Sequence, residues 1–215
     1  MNECYFCGEL ATSKEHVPPK SLFPEGMRNH LIKVPSCEKN NNSKSGDDEY
    51  FRYMIMSQSS LPLTNKVFKP LINKFLRSIK RKPALTQAIM KTQKDISYDG
   101  GIVSNTFKLD DDRINQSLVC IARGLFFHEI GKVFSGSHEV IKLFSFYADE
   151  NSNDAKFIDE KKSIEEDTKD IFSSVEYKGG TPLVFKYKAL KYADTVEYFL
   201  TFYNDINASV LLKKS

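Results

Sequence analysis

Cys4-Tyr5-Phe6-Cys7, Lys14-Glu15-His16-Val17-Pro18-Pro19-Lys20 and Cys37-Glu38-Lys39-Asn40-Asn41-Asn42-Ser43-Lys44-Ser45 follow one another in the first 50 residues, and their reading decides the fold. Two cysteines separated by two residues can reach one ion from a single tight turn, and a third arrives from a later segment. Between them stands a Glu-His pair. A carboxylate is a hard ligand suited to a divalent cation, and an imidazole takes a proton near neutral pH.

Together these motifs resemble the HNH endonuclease family, over about the first 50 of the 215 residues. The resemblance implies a ββα-metal unit in which His16 is the general base. Glu15 and Asn41 then ligate a catalytic Mg²⁺ or Mn²⁺. The family's middle residue, which orients the base, falls on His30 before Leu31, with Asn29 beside it able to take the role. Val17-Pro18-Pro19-Lys20 follows the base as in the family, where the prolines stiffen the exit from the first strand. Lys44 lies three residues past Asn41, so on a helix both face one groove, and its charge suits a phosphate contact. Many family members place four cysteines around a structural Zn²⁺. Here Cys4, Cys7 and Cys37 are joined by Asn40 at the fourth position. Either the Asn40 amide oxygen, a water or His30 completes the zinc site, or the metal is lost and packing holds the knuckle.

The activity this implies is hydrolysis of DNA phosphodiesters. A water must be deprotonated, and the charge growing on phosphate and leaving oxygen must be compensated. One such site cuts one strand, so nicking is the minimal outcome and a homodimer is needed to cut two. In one rival reading residues 65–215 are a protein-interaction scaffold and a protein partner switches the nuclease on, as in a phage-defence or toxin effector. The other is a degenerate unit that binds nucleic acid without cleaving it.

Bulk composition agrees with a folded chain: hydrophobic residues make up 40% and charged residues 27%. No stretch approaches the ~18 apolar residues of a membrane span, so no membrane partner is expected. The start, Met1-Asn2-Glu3-Cys4, has neither a basic run nor an apolar core. With cysteines spaced as ligands, a reducing cytoplasm is expected. The net charge of +3 says little alone, but its distribution says more. Residues 1–50 carry six Lys/Arg against eight Asp/Glu, whereas residues 65–83 carry seven Lys/Arg and no acid. Lys66, Lys74, Arg77, Lys80 and Arg81 are therefore the candidate DNA contacts, with a plain solvated face as the alternative.

The fold class expected is α+β, with the N-terminal unit (residues 1–60) followed by residues 61–215. Helices are expected over about 48–59 and 65–81, the second with Val67, Phe68, Leu71, Ile72, Phe75, Leu76 and Ile79 on one face. Pro70 marks a kink or the true first turn. Asp99-Gly100 signals a hairpin. Asp110 begins a long helix to about 132 that buries Ile114, Leu118, Ile121, Leu125, Phe126 and Ile130. A strand is expected over 139–147, and a surface helix or loop over 149–170. Strands over 171–177, 183–190, 196–203 and 208–212 are expected to form an antiparallel sheet on the long helix. His128, His138 and Cys120 read as structural or surface residues.

Overall fold

The computed structural model describes residues 3–58, 64–81, 94–98, 101–106, 110–143 and 154–215, together with 83, 87 and 91. The chain opens with a two-stranded antiparallel hairpin, β1 (Ser13–Val17) and β2 (Ile32–Ser36), in register from Ser13 opposite Ser36 to Val17 opposite Ile32. Pro18 and Pro19 end β1, because a residue without an N–H cannot extend a ladder. Helix α1 (Glu38–Ser43) follows β2 at once, and α2 (Ser45–Gln58) begins after the single residue Lys44. The Asp48 N–H donates to the Lys44 carbonyl at 2.8 Å, so helical bonding carries across that joint.

A 3₁₀ turn (Lys66–Phe68) leads into α3 (Lys69–Arg81), which places Pro70 in the first turn of the helix, where its missing N–H costs nothing. The expected apolar stripe is narrower than the sequence suggests. Phe68 and Leu71 are buried, but Val67 and Leu76 are 48% and 49% exposed. Strands β3 (Lys94–Tyr98) and β4 (Gly101–Thr106) form a separate antiparallel pair, whose Asp99-Gly100 turn lies outside the described residues.

Helix α4 (Asp111–Ile130) is the axis of the molecule. The Asp110 carboxylate accepts from the Arg113 N–H at its start, and Gly131 in the left-handed region (φ 72°) closes it. From Ser117 to Phe127 every residue but Arg123 is buried, which exceeds the single face expected from periodicity. A helix buried on nearly all sides has neighbours all round: α2, β1 and β2 on some, and strands of the C-terminal sheet on another. Ile130, expected in the buried face, sits at the end of the helix and is 39% exposed.

That sheet has five antiparallel strands in the order β5-β9-β8-β7-β6. They are β5 (Gly136–Lys142), β6 (Lys178–Thr181), β7 (Phe185–Lys191), β8 (Thr195–Phe202) and β9 (Ile206–Lys214), with α5 (Asp154–Ile171) between β5 and β6. The strand expected over 171–177 is instead the end of α5 and a turn. Phe172 there packs with Leu143 and Phe199 on the face of the sheet away from the main core. An apolar residue in this segment thus caps a sheet rather than belonging to one. The strand expected over 139–147 runs earlier, because β9 pairs as far back as Gly136; residues 144–147 lie outside the described residues.

One buried cluster links Tyr5, Val17 and Val34 of the N-terminal unit, Phe51 and Met54 of α2, the α4 face, and Leu200, Phe202 and Val210 of the sheet. The core is continuous across the boundary expected near residue 60. Phe51 meets Phe202 edge to face at 5.4 Å, and the Tyr203 hydroxyl donates to the Leu22 carbonyl at 2.8 Å in the interior. Among the described residues, no helix is long and apolar enough to cross a membrane.

Candidate active site and metal centre

The turn carrying Cys4 and Cys7 is closed by the Cys4 N–H donating to the Glu9 carbonyl and by the Gly8 N–H donating to the Cys4 carbonyl, with Gly8 at φ 77°. Cys37 is the residue preceding α1, which aims its thiol back at that turn. The three sulfurs lie within 4.8 Å of one another, with Cys7 and Cys37 at 3.8 Å. This is the S···S edge of about 3.8 Å that tetrahedral thiolate ligation of zinc produces. The cluster can hold a metal ion. None of the three is in a disulfide. Asn40, one turn into α1, directs its amide at the remaining side and donates to the sulfurs of Cys7 (3.0 Å) and Cys4 (3.3 Å). Burial pushes the Cys4 thiol up, but hydrogen bonds from Asn40 and from backbone N–H groups including those of Cys37 and Cys7 outweigh it and bring it down to about 6. Cys4 is therefore a thiolate at neutral pH, the form that ligates metals.

The knuckle is fixed to the rest of the fold through Phe6. Its ring lies 4.8 Å from the Lys44 ammonium and 4.7 Å from the Arg123 guanidinium of α4. The start of α2 is clamped to α4 by Arg113, which donates to Asp47 at 2.6 Å and to the Gly46 carbonyl at 2.7 Å, and covers the Tyr50 ring.

Between hairpin and helices opens a cleft of about 460 Å³, lined by Lys14, Glu15, His16, Pro19, Lys20, Ser21, Asn41, Asp48, Glu49 and Arg52. It brings together three of the sequence-predicted site residues. His16 is half-buried; burial, with help from the nearby charges of Lys33, Lys20 and Arg28, holds its imidazole below the usual value. It is neutral at pH 7 and able to accept a proton. Glu15 accepts from Ser36 Oγ at 3.4 Å and from Lys44 Nζ at 3.5 Å. The Asn41 amide donates to Ser13 Oγ at 3.1 Å, which orients its nitrogen toward β1.

Two expectations need correction. Lys44 does not offer its charge to solvent: it is 7% exposed, hydrogen-bonded to the Tyr5 hydroxyl and paired with Glu15. Its place at the joint between α1 and α2 turns it inward, so it neutralises a carboxylate rather than meeting phosphate. His30 does not stand beside His16. It occupies a turn before β2 at φ 64°, is exposed, and approaches Gly180, while the residue paired with His16 across the ladder is Lys33. Among the described residues His30 makes no hydrogen bond to His16, and the adjacent Asn29 is likewise exposed in the turn. His30 also takes no part in the cysteine cluster.

Asp48 and Arg52 were missed. Burial, and next the negative charge of Glu15, raise the Asp48 carboxyl to about 6. Arg52 is buried at the inner end of the cleft wall. The signal was present in the spacing. Asn41, Asp48 and Arg52 fall at i, i+7 and i+11, which is one face of a helix that runs on through Lys44. The candidate basic residues of α3 and the 3₁₀ turn before it divide. Lys74, Arg77 and Arg81 line a neighbouring cavity that Arg52 also borders, whereas Lys66 and Lys80 are exposed outside it. Set beside known proteins, the chain matches no family model, no curated protein and no solved structure.

Proposed function

We propose that the chain is a metal-dependent endonuclease that hydrolyses DNA phosphodiester bonds at the cleft of His16. The observation that carries this reading is the convergence of a neutral imidazole, a carboxylate and a carboxamide, from β1 and the following α1, on one open cleft. His16 takes the proton from the attacking water. Glu15 and Asn41 are the residues that would hold Mg²⁺ or Mn²⁺, with Asp48 as a further carboxylate nearby; the ion's contribution is to offset charge on the phosphate. Zinc is the ion proposed for the thiolate cluster, where it would fasten the N-terminal turn to α1. A reducing cytoplasm suits these unpaired thiols. A single such site nicks one strand, and two copies are needed to cut both.

The test is conversion of supercoiled plasmid to open circle with Mg²⁺, with Mn²⁺ and without metal, beside His16→Ala. Metal-dependent nicking that the variant lacks supports the reading. Nicking that survives in His16→Ala removes His16 as the base.

A second reading is favoured by the Lys44–Glu15 pair. A buried ammonium already compensates the carboxylate that the metal needs. A unit that binds nucleic acid without cutting it follows if the pair persists on binding, and it predicts DNA binding with no nicking in any metal.

A further inference from the structure

We propose that Arg52 is the centre of a second phosphate-binding subsite, one that holds a non-scissile backbone phosphate of the strand lying in the His16 cleft. This rests on the nuclease reading above. Arg52 is 6% exposed, and its guanidinium Nε is buried without a hydrogen-bond partner. The Glu49 carboxylate, one turn back on α2, stands 4.0 Å from a terminal nitrogen, at the outer limit of an ion pair. A buried guanidinium nitrogen without an acceptor is costly, and an anion at this point would supply one.

Its position says which ligand. Arg52 and Glu49 are the two residues shared by the His16 cleft and a neighbouring cavity of about 550 Å³. The other walls of that cavity are Lys74, Arg77, Ser78 and Arg81 of α3, and Glu25. Four cations face two carboxylates, and Glu25 itself reaches toward Arg28. The three α3 side chains are exposed and able to follow a flexible ligand, while Arg52 is fixed at the junction. A ligand that enters both cavities must present an anion at their boundary and further negative charge beyond it. A phosphodiester backbone does this, and a planar guanidinium fork matches phosphate oxygens in pairs. A lone carboxylate would satisfy Arg52 and leave the α3 cations unused. The α3 charge therefore works through this cavity, and not as a uniform basic face that would include Lys66 and Lys80.

The test is fluorescence anisotropy of a short labelled oligonucleotide in metal-free buffer, on the full chain. DNA and RNA of one sequence run in parallel to say which backbone is taken. Arg52→Gln is expected to weaken binding about tenfold or more, and to lower the slope of log K against log salt by about one. Arg77→Gln, an exposed position whose fold is checked by thermal melting, is expected to weaken binding in the same direction, and Lys66→Gln to leave it unchanged. Wild-type affinity in Arg77→Gln and in folded Arg52→Gln overturns the subsite, as does an equal loss in Lys66→Gln. If Arg52→Gln fails to fold, Arg77→Gln against Lys66→Gln decides. Plasmid nicking separates the two readings. Nicking that persists without any Arg52 or Arg77 effect leaves the nuclease standing and removes the subsite, whereas absent nicking with lost binding in these variants does the reverse.

Discussion

Gly124 of α4 lies directly beneath Val17 of β1: a methyl group at 124 would come within 2.5 Å of Val17 Cγ2. No real pair of carbons sits that close. The strand that carries Glu15 and His16 is therefore seated on the central helix at a distance only glycine permits, and His16 stands one residue from that contact.

Gly124→Ala should consequently cost stability despite alanine's better helix propensity. Overpacking costs about 1–3 kcal/mol and the propensity gain recovers about 1 kcal/mol, for a net loss of up to about 2 kcal/mol. For a chain of this size each kcal/mol lowers Tm by roughly 2–4 °C. Thermal melting checks the stability, and the nicking rate should fall further than the melt alone explains because β1 is displaced. An unchanged melt would mean that β1 is free to lift from α4.

The thiolate cluster yields a prediction about metal. Purified protein should carry one ion per chain, measured by elemental analysis, and Cys4→Ser, which removes a thiol whose surroundings favour the thiolate, should lose it and melt lower. Asn40→Cys should do the opposite. Asn40 already reaches two of the sulfurs, so a thiol at that corner supplies the fourth ligand and slows loss of the ion to a chelator. Metal content unaffected by either change would make the cluster a packing feature only.

Much of this arrangement is legible in the sequence. Cys4, Cys7 and Cys37 meet because a tight turn and a helix start were both written locally, and Asp110 and Gly131 mark the limits of α4 as capping residues do. What escaped was set by neighbours. Lys44 read as a surface charge because nothing local says that the α1–α2 joint turns it toward Tyr5 and Glu15. His30 read as the residue that orients His16 because nothing local says that it sits in a turn at positive φ with its carbonyl against Gly180, some 150 residues away in the chain. The spacing from Asn41 puts Arg52 on the cleft face, but nothing local says that α3 lies beside it and makes it the boundary of two cavities.

His16 makes the pH dependence specific. Its folded-state pKa lies below the ordinary 6.5, with burial the first cause and Lys33, Lys20 and Arg28 adding to it. Protonation therefore opposes folding at this group: its contribution is fully present above pH 6.5 and is lost as pH falls through the folded value. Nicking should accordingly be flat near pH 7 and decline only below 6.5. Lys33→Gln removes the positive charge with the largest effect of those named and should move the His16 midpoint upward, toward 6.5. An NMR titration of the His16 ring protons reads that midpoint without reference to activity, and a midpoint at or above 6.5 in the wild type would contradict the environment described.

Asp48 runs the other way. Its carboxyl is raised from 3.8 to about 6 by burial and by Glu15, so the folded chain binds that proton more tightly than the unfolded chain does. The stability it contributes is complete below pH 3.8 and is lost as pH rises through 6. At pH 7 the ionised Asp48 carboxylate, buried and repelled by Glu15, then opposes folding, by at most about 3 kcal/mol from the shift and about 1–2 kcal/mol once partial solvent screening is allowed for. Asp48→Asn should raise the Tm at pH 7 and leave it nearly unchanged at pH 4. A divalent cation relieves the same repulsion, so Mg²⁺ should raise the melting temperature of the wild type more than that of Asp48→Asn. Equal responses of the two proteins to Mg²⁺ would place any bound ion away from Asp48, leaving Glu15 and Asn41 to hold it alone.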